Sequence, residues 1–298
     1  MTSSFSEQPE GLAKGNLKRS SSSPRTLFNS FMNVVAFTCG ALALLPLLMV
    51  LSYVLIKGLG SLNWSVFTEL PPTPLEKTGG GFRNAIFGTL LLVGIGSAIS
   101  VPFGVLGAIY LTEFSSGKIA RWVRFAANVL SGVPSIIAGV FAYGILIATR
   151  IVNFSPIAGG VALSILMLPI IVRTTDEALQ LVSNDLRQAA VGLGCTKFQT
   201  VAQIVLPSAL PAIVTGTTLA IARAAGETAP VIFTAQFNQF AFSGFDQPIA
   251  SLAVLVYKFA ISPYSNQQSL AWAASLILVL LVLLTSIIAR VATAQKKY

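Results

Sequence analysis

The sequence predicts an all-α integral membrane protein with six transmembrane helices. Composition is the first reason. With 54% apolar residues, only 10% charged residues and a mean hydropathy of +0.78, the chain has too little charge to cover a water-facing surface. The second reason is that the apolar residues gather into runs long enough to cross a bilayer, for which a helix needs about 20 residues. The third is that basic residues fall mostly between those runs, where they orient helices. Composition also excludes. The net charge of +9 comes without a basic stripe of interleaved aromatics, so nucleic acid is not expected as a partner. The absence of histidine removes imidazole base catalysis and histidine metal sites. Cys39 lies inside the first apolar run and Cys195 in a central polar segment, so the two are expected at different depths, forming neither a disulfide nor a metal clip. No metal and no cofactor are expected.

Taken in order, residues 1–28 are rich in Ser, Gly, Lys and Arg and hold too little apolar surface to order themselves, which predicts a disordered tail. Val34 to Ile56 carries no charge and lacks a small-x-small cleavage site, so it reads as a first spanning helix rather than a signal peptide. From Lys57 to Arg83 a polar connection holds Trp64, Pro71, Pro72, Pro74 and Gly79 to Gly81, which are turn formers and an interfacial aromatic. The second span lies between Arg83 and Glu113, with room for a tilt or a break at Pro102 to Gly104. Lys118, Arg121 and Arg124 then form a basic loop.

A third span runs from Phe125 to about Thr149 and contains Gly132-Val133-Pro134-Ser135. Proline there frees a carbonyl near mid-membrane, so the segment must be packed by protein or line a cavity. A packed kink and a ligand contact both satisfy that. The fourth span, Pro156 to Val172, ends at Arg173-Thr-Thr-Asp-Glu177, and a polar segment continues to Pro207. The fifth begins near Ser208 and passes Arg223 and Glu227. A loop with five phenylalanines follows, then a short interfacial helix over Ser251 to Ala260 and a sixth span at about Ala271 to Ala289.

Six spans leave both termini on one side. That side would carry 13 of the basic residues, including Lys118, Arg121, Arg124, Arg173, Arg187 and Lys197, against five on the other, which predicts cytoplasmic termini and a cytoplasmic central segment. In that segment Asp185 can cap a helix with Gln188 at its third position, and Gly194 can end it in a left-handed conformation. Thr196 with Gln199 can cap a second short helix, and Pro207 lets the chain turn into the membrane. The first helix would present Ala189 and Ala190, small enough to sit in another protein's groove.

Gln188-Ala189-Ala190, three residues, Gly194, nine residues, then Ile204-x-Leu206-Pro207 resembles the E-A-A-x3-G-x9-I-x-L-P motif of permease subunits in binding-protein-dependent ABC importers. The spacing matches throughout, with Gln188 where glutamate is typical. The resemblance implies the type I ABC importer permease fold and docking of the 185–206 segment into an ATPase subunit. The chain itself has no G-x-x-x-x-G-K-[ST] loop to cradle ATP phosphates.

Arg223 and Glu227 stand four residues apart, one turn on a helical face, and can form an ion pair inside the membrane. A charge at that depth usually faces a bundle interior or a polar cavity. Arginine's planar fork suits a tetrahedral oxyanion such as phosphate or sulfate, with Glu227 holding or neutralising it, while a pair that only locks two spans together is the alternative. Arg223-Ala-x-Gly226-Glu227-Thr228-Ala229-Pro230 is similar to a signature of the phosphate-specific importer's permeases, and its Ala-Pro ending looks like the A-type subunits (PstA). Tyr110-Leu111-x-Glu113, Gly132-Val133-Pro134-Ser135-Ile136 and Arg173-Thr174-Thr175-x-Glu177-Ala178-Leu179 resemble the same subunits in order and spacing. Ser183 stands where that family often has proline.

The resemblance implies a non-enzymatic, multi-pass permease subunit of the inner membrane that carries phosphate. It would work with a second homologous permease, an ATP-binding subunit dimer and a periplasmic phosphate-binding protein. The expected organisation is a tail over 1–28, a first helix and periplasmic loop over 29–83, a permease core over 84–290 and a tail over 291–298. Arg223, Glu227, Thr228, Pro134 and Ser135 would line the substrate path, and Gln188, Ala189, Ala190, Gly194, Ile204, Leu206 and Pro207 would serve the ATPase contact. Sulfate, molybdate or phosphonate as cargo stays open at this level, as does a membrane protein that is not a transporter.

Overall fold

The computed structural model describes residues 24–115 and 117–294. Among the described residues the structure is helical, with no strand. The chain divides into two units, Met1–Tyr53 and Val54–Tyr298. Helix α1 spans Pro24–Gly60. It begins inside the stretch expected to be a disordered tail, with a proline whose missing N–H costs nothing at a helix start. Residues 1–23 lie outside the described residues, as do the last four of the C-terminal stretch 291–298.

In the second unit a short helix α2, Ser65–Thr68, precedes α3, Arg83–Ile109, which continues into a π-helical turn over Tyr110–Phe114. Pro102 lies inside α3 without interrupting it, so the break allowed for at Pro102 to Gly104 does not occur. The third span, in contrast, is broken rather than kinked. Helices α4 (Lys118–Ser131) and α5 (Ser135–Ala142, extended by a π-helical turn to Ile147) meet at 104°. Pro134 is extended at ψ 135° and cannot donate a helical hydrogen bond, which ends one helix and starts another. Lys118 to Arg124, expected in a loop, form the first turns of α4.

Helix α6 spans Pro156–Gln180, capped by Ser155, whose Oγ accepts from the Ala158 N–H at 3.2 Å. It runs past the expected end at Val172 because Arg173 and Glu177 pair on its surface and continue the helix. Then come α7 (Asn184–Gly192), α8 (Lys197–Thr200), a π-helical turn (Val201–Val205) and α9 (Leu206–Ala225). The path from Lys197 to Ala225 is continuous, so Pro207 does not turn the chain. It sits in the first turn of α9, and the wider turn before it relieves the clash a proline makes with the carbonyl four residues back. The remaining helices are α10 (Ala229–Thr234), α11 (Leu252–Ala260) and α12 (Ser265–Ala294). Among the described residues five helical paths are long and apolar enough to cross a membrane, or six if the bent α4–α5 pair counts as one span.

Helix α6 is the centre of the bundle. Gly160 on α6 lets α3 approach closely, since a Cβ there would lie 2.4 Å from Ile95 Cγ2, the small-residue packing that brings membrane helices together. Leu92, Leu163, Met167, Ile171, Ala220 and Val231 join α3, α6, α9 and α10 in one core. Helix α11, expected at the interface, is instead buried through Leu252, Val254 and Leu255. The loop before it is folded onto α3. Asn84 donates to the carbonyls of Asn238 (2.9 Å) and Phe240 (3.2 Å), Thr89 Oγ1 accepts from the Leu252 N–H at 2.8 Å, and Gly88 admits the Ala250 carbonyl where a Cβ would stand 1.9 Å from its oxygen.

Candidate functional site

Arg223 occupies the last turn of α9, which closes at Ala225 with Gly226 as its cap, and α10 starts again with Pro230 in its first turn. Arg223 and Glu227 therefore pair across a helix break and not along one continuous face. Their single contact, Nε to Oε1 at 3.4 Å, joins a half-exposed arginine to a mostly buried carboxylate. Arg223 lines a cavity of about 490 Å³ together with Ser131, Ile170, Arg173, Thr174, Glu177 and Leu219. Arg173 pairs with Glu177 through Nε at 2.8 Å. The Arg173–Glu177 unit of α6 and Arg223 from the end of α9 thus face one space, with Glu227 paired behind Arg223.

The α6 unit is what sequence reasoning missed at this site. Arg173 reads as one more basic residue beyond a span, yet it repeats the spacing of Arg223 and Glu227, and the repeat was the available signal. Glu227 touches Arg223 but does not itself line the cavity. Thr228 sits at the start of α10, where its carbonyl accepts from the Ile232 N–H at 3.0 Å. Pro134 and Ser135 begin α5, which packs on α10 where Gly139 faces Pro230. None of these three lines the cavity, whereas Ser131, just before the α4–α5 break, does.

Beside this cavity α4 is fastened to α6. Buried Asp176 accepts from Arg124 Nε at 2.9 Å and Nη2 at 2.8 Å, from Thr112 Oγ1 at 2.7 Å and from Gln180 Nε2 at 2.7 Å. The bidentate geometry orients both planar groups, and the two neutral donors satisfy lone pairs that burial would otherwise leave bare. Among the described residues no three His, Cys, Asp or Glu side chains gather as metal ligands.

The α7–α8 hairpin forms the other candidate site. Its first helix is capped by Ser183, whose Oγ accepts from the Leu186 N–H at 3.4 Å. Asp185, expected as the cap, lies in the first turn, where a carboxylate still favours the helix N-terminus. Gly194 takes φ +87°, the left-handed end anticipated for it. Thr196 and Gln199 form the reciprocal capping box, at 3.3 and 2.8 Å. Gln188 and Ala189 are exposed, but Ala190 is buried within this chain, because neighbours on a helix point about 100° apart. Ile204 and Leu206 are half-buried around fully buried Val205, and Pro207 is exposed. The outward apolar surface comes instead from Leu186, Val191, Leu193 (87% exposed) and Phe198 (72% exposed).

Residues 100–295 match the family described as binding-protein-dependent transport system inner membrane component. The chain is 40% identical over 274 residues to the phosphate transport system permease protein PstA of Haemophilus influenzae, covering 92% of this chain and 96% of that one. To the protein of the same name from Yersinia pestis it is 42% identical, covering 85% of each. To PstA 1 of Mycobacterium tuberculosis it is 36% identical, over 92% of this chain and 91% of the relative. Among solved structures, a bacterial alginate ABC transporter matches with a TM-score of 0.61 at 14% identity, over 89% of this chain and 94% of its own. The MetNI methionine ABC transporter in an inward-facing conformation matches with a TM-score of 0.55 at 22% identity, over 71% and 92%. The all-helical fold is thus that of a type I ABC importer permease, and the chain belongs to the PstA family within the binding-protein-dependent transport system inner membrane components.

Proposed function

We propose that this chain is a permease subunit that carries inorganic phosphate into the cell through an ATP-driven importer. The observation that carries the reading is the cavity lined by Arg173, Glu177 and Arg223, each arginine paired with a carboxylate four residues on. Two guanidinium forks can neutralise a divalent tetrahedral anion and bond its oxygens in pairs. Glu177 and Glu227 hold the arginines when no anion is present. Glu177, on the cavity wall, also favours phosphate over sulfate, since a hydrogen phosphate can donate its proton to a carboxylate and a sulfate dianion has none to give. The relatives' names agree with this cargo. Arg223 and Glu227 form the core of the path, with Thr228, Pro134 and Ser135 at the helix breaks around it.

The energy comes from a partner ATPase dimer, since the chain has no phosphate-binding loop of the G-x-x-x-x-G-K-[ST] kind. The 185–206 segment docks on that ATPase. Gln188 and Ala189 face outward there, Ala190, Gly194 and Thr196 set the hairpin's shape, and Ile204, Leu206 and Pro207 join it to α9. A second related permease completes the pathway and a periplasmic phosphate-binding protein delivers the anion. The basic residues favour cytoplasmic termini and a core over 84–290 inserted in the inner membrane. The deciding experiment is purification with native partners, followed by ATP-dependent uptake of labelled phosphate into vesicles. Excess phosphate should abolish uptake and excess sulfate, molybdate or phosphonate should leave most of it. Competition by sulfate equal to that by phosphate would assign another oxyanion, and a preparation without any ATP-binding subunit would overturn the transporter reading.

A further inference from the structure

Arg187 lies within the 185–206 segment, just before Gln188, but turns inward and makes the only ion pair that the described residues show between α7 and a spanning helix. Its Nη2 meets Glu113 Oε1 at 2.8 Å, with the arginine 21% exposed and the glutamate 9%. The same nitrogen donates to the Leu179 carbonyl at 2.9 Å, near the end of α6, and Nη1 donates to the Val182 carbonyl in the turn beyond it. One guanidinium thus joins the hairpin to the ends of two core helices. Glu113 belongs to the π-helical turn that closes α3, and the next residue, Phe114, receives Lys197 of α8 over its ring at 5.4 Å. Both helices of the hairpin therefore grip the same turn.

We infer that the Arg187–Glu113 pair is the joint through which movement of the α7–α8 hairpin reaches α3 and α6, making Arg187 a positioning residue for transport. This rests on the reading that the hairpin docks on an ATPase. Geometry favours a rigid joint. The guanidinium is held by acceptors on the α3 turn, the end of α6 and the turn beyond it, and an arginine fork loses little further freedom in binding them. The wider π-helical turn offers a natural place for α3 to flex when pulled.

Two measurements test it. In reconstituted vesicles Arg187→Gln and Glu113→Gln should each retain the partner ATPase and hydrolyse ATP within about twofold of wild type, while uptake falls about tenfold, the factor a lost charge-assisted hydrogen bond carries. The double exchange Arg187→Glu with Glu113→Arg should recover much of the uptake that either exchange alone removes, which a merely disrupted fold would not. Independently of cargo, spin labels at Val191→Cys on α7 and Phe103→Cys on α3 are placed in the full-length chain with Cys39 and Cys195 changed to serine. These should give one narrow distance distribution that Arg187→Gln broadens. An unchanged distribution overturns the joint, whatever the vesicles transport. Loss of ATPase retention together with uptake also overturns it, since that would make Arg187 part of docking alone. If the wild-type complex moved no phosphate, the cargo assignment would fall while the distance measurement still decided the joint.

Discussion

Replacing Arg223 with glutamine separates a structural role from a cargo role by magnitude. The Arg223–Glu227 pair is a single 3.4 Å contact on a half-exposed arginine, and exposed pairs at this spacing are worth roughly 0.3–0.5 kcal/mol. Glutamine keeps an amide N–H that can donate to Glu227. The loss of fold stability is then of that small order, a melting shift of about 1–2 °C. A hydrogen bond from the guanidinium to a phosphate oxygen is charge-assisted and contributes about 1.5–3 kcal/mol, which corresponds to roughly 10- to 150-fold in binding. Uptake of labelled phosphate by the reconstituted complex should therefore fall by at least about tenfold while the same preparation melts within about 2 °C of wild type. Uptake within about twofold of wild type would refute the cargo role. A melting loss near 10 °C would refute the reasoning from the other side, because the pair would then be holding the helix break together. Arg173→Gln should behave alike, since Arg173 lines the same cavity with its own carboxylate.

Asp176→Asn keeps the volume but removes the charge facing Arg124. A broken buried pair costs about 3–5 kcal/mol, and Arg124's partial exposure lowers this to about 2–4, readable as a lower melting temperature in detergent. Gly139→Ala would set a Cβ 2.6 Å from Pro230 Cα, so backbone must move at a cost of about 1–3 kcal/mol, whereas Gly94→Ala meets nothing within 4 Å and should not destabilise. Gly194→Ala meets no neighbour but must adopt φ +87°, costing about 1–2 kcal/mol and speeding amide exchange at the hairpin turn. Leu193→Ser with Phe198→Ser alters only exposed side chains, so the melt should move by less than about 0.5 kcal/mol while ATPase co-purification weakens. Retention equal to wild type would show that the contact lies elsewhere on the hairpin.

Much of this molecule is legible in its order of residues because the membrane imposes a local rule. Every apolar run must be helical to satisfy its own backbone, so Val34 to Ile56 or Pro156 to Val172 can be assigned without knowing any neighbour. Caps are equally local, which is why Thr196, Gln199 and Gly194 behave as their spacing says. What depends on distant partners is not legible. Pro134 ends its helix locally, but the burial of α11 under Asn84 and Thr89 and the inward turn of Ala190 follow from packing between segments far apart in the chain. The same is true of the charges. Sequence alone set Arg223 and Glu227 close enough to pair, although the pair proves to bridge a helix break, and an arginine's further partners are set by whatever folds beside it. Only the tertiary structure decided that Arg173 shares its cavity, that Arg124 binds Asp176, and that Arg187 reaches back 74 positions to Glu113.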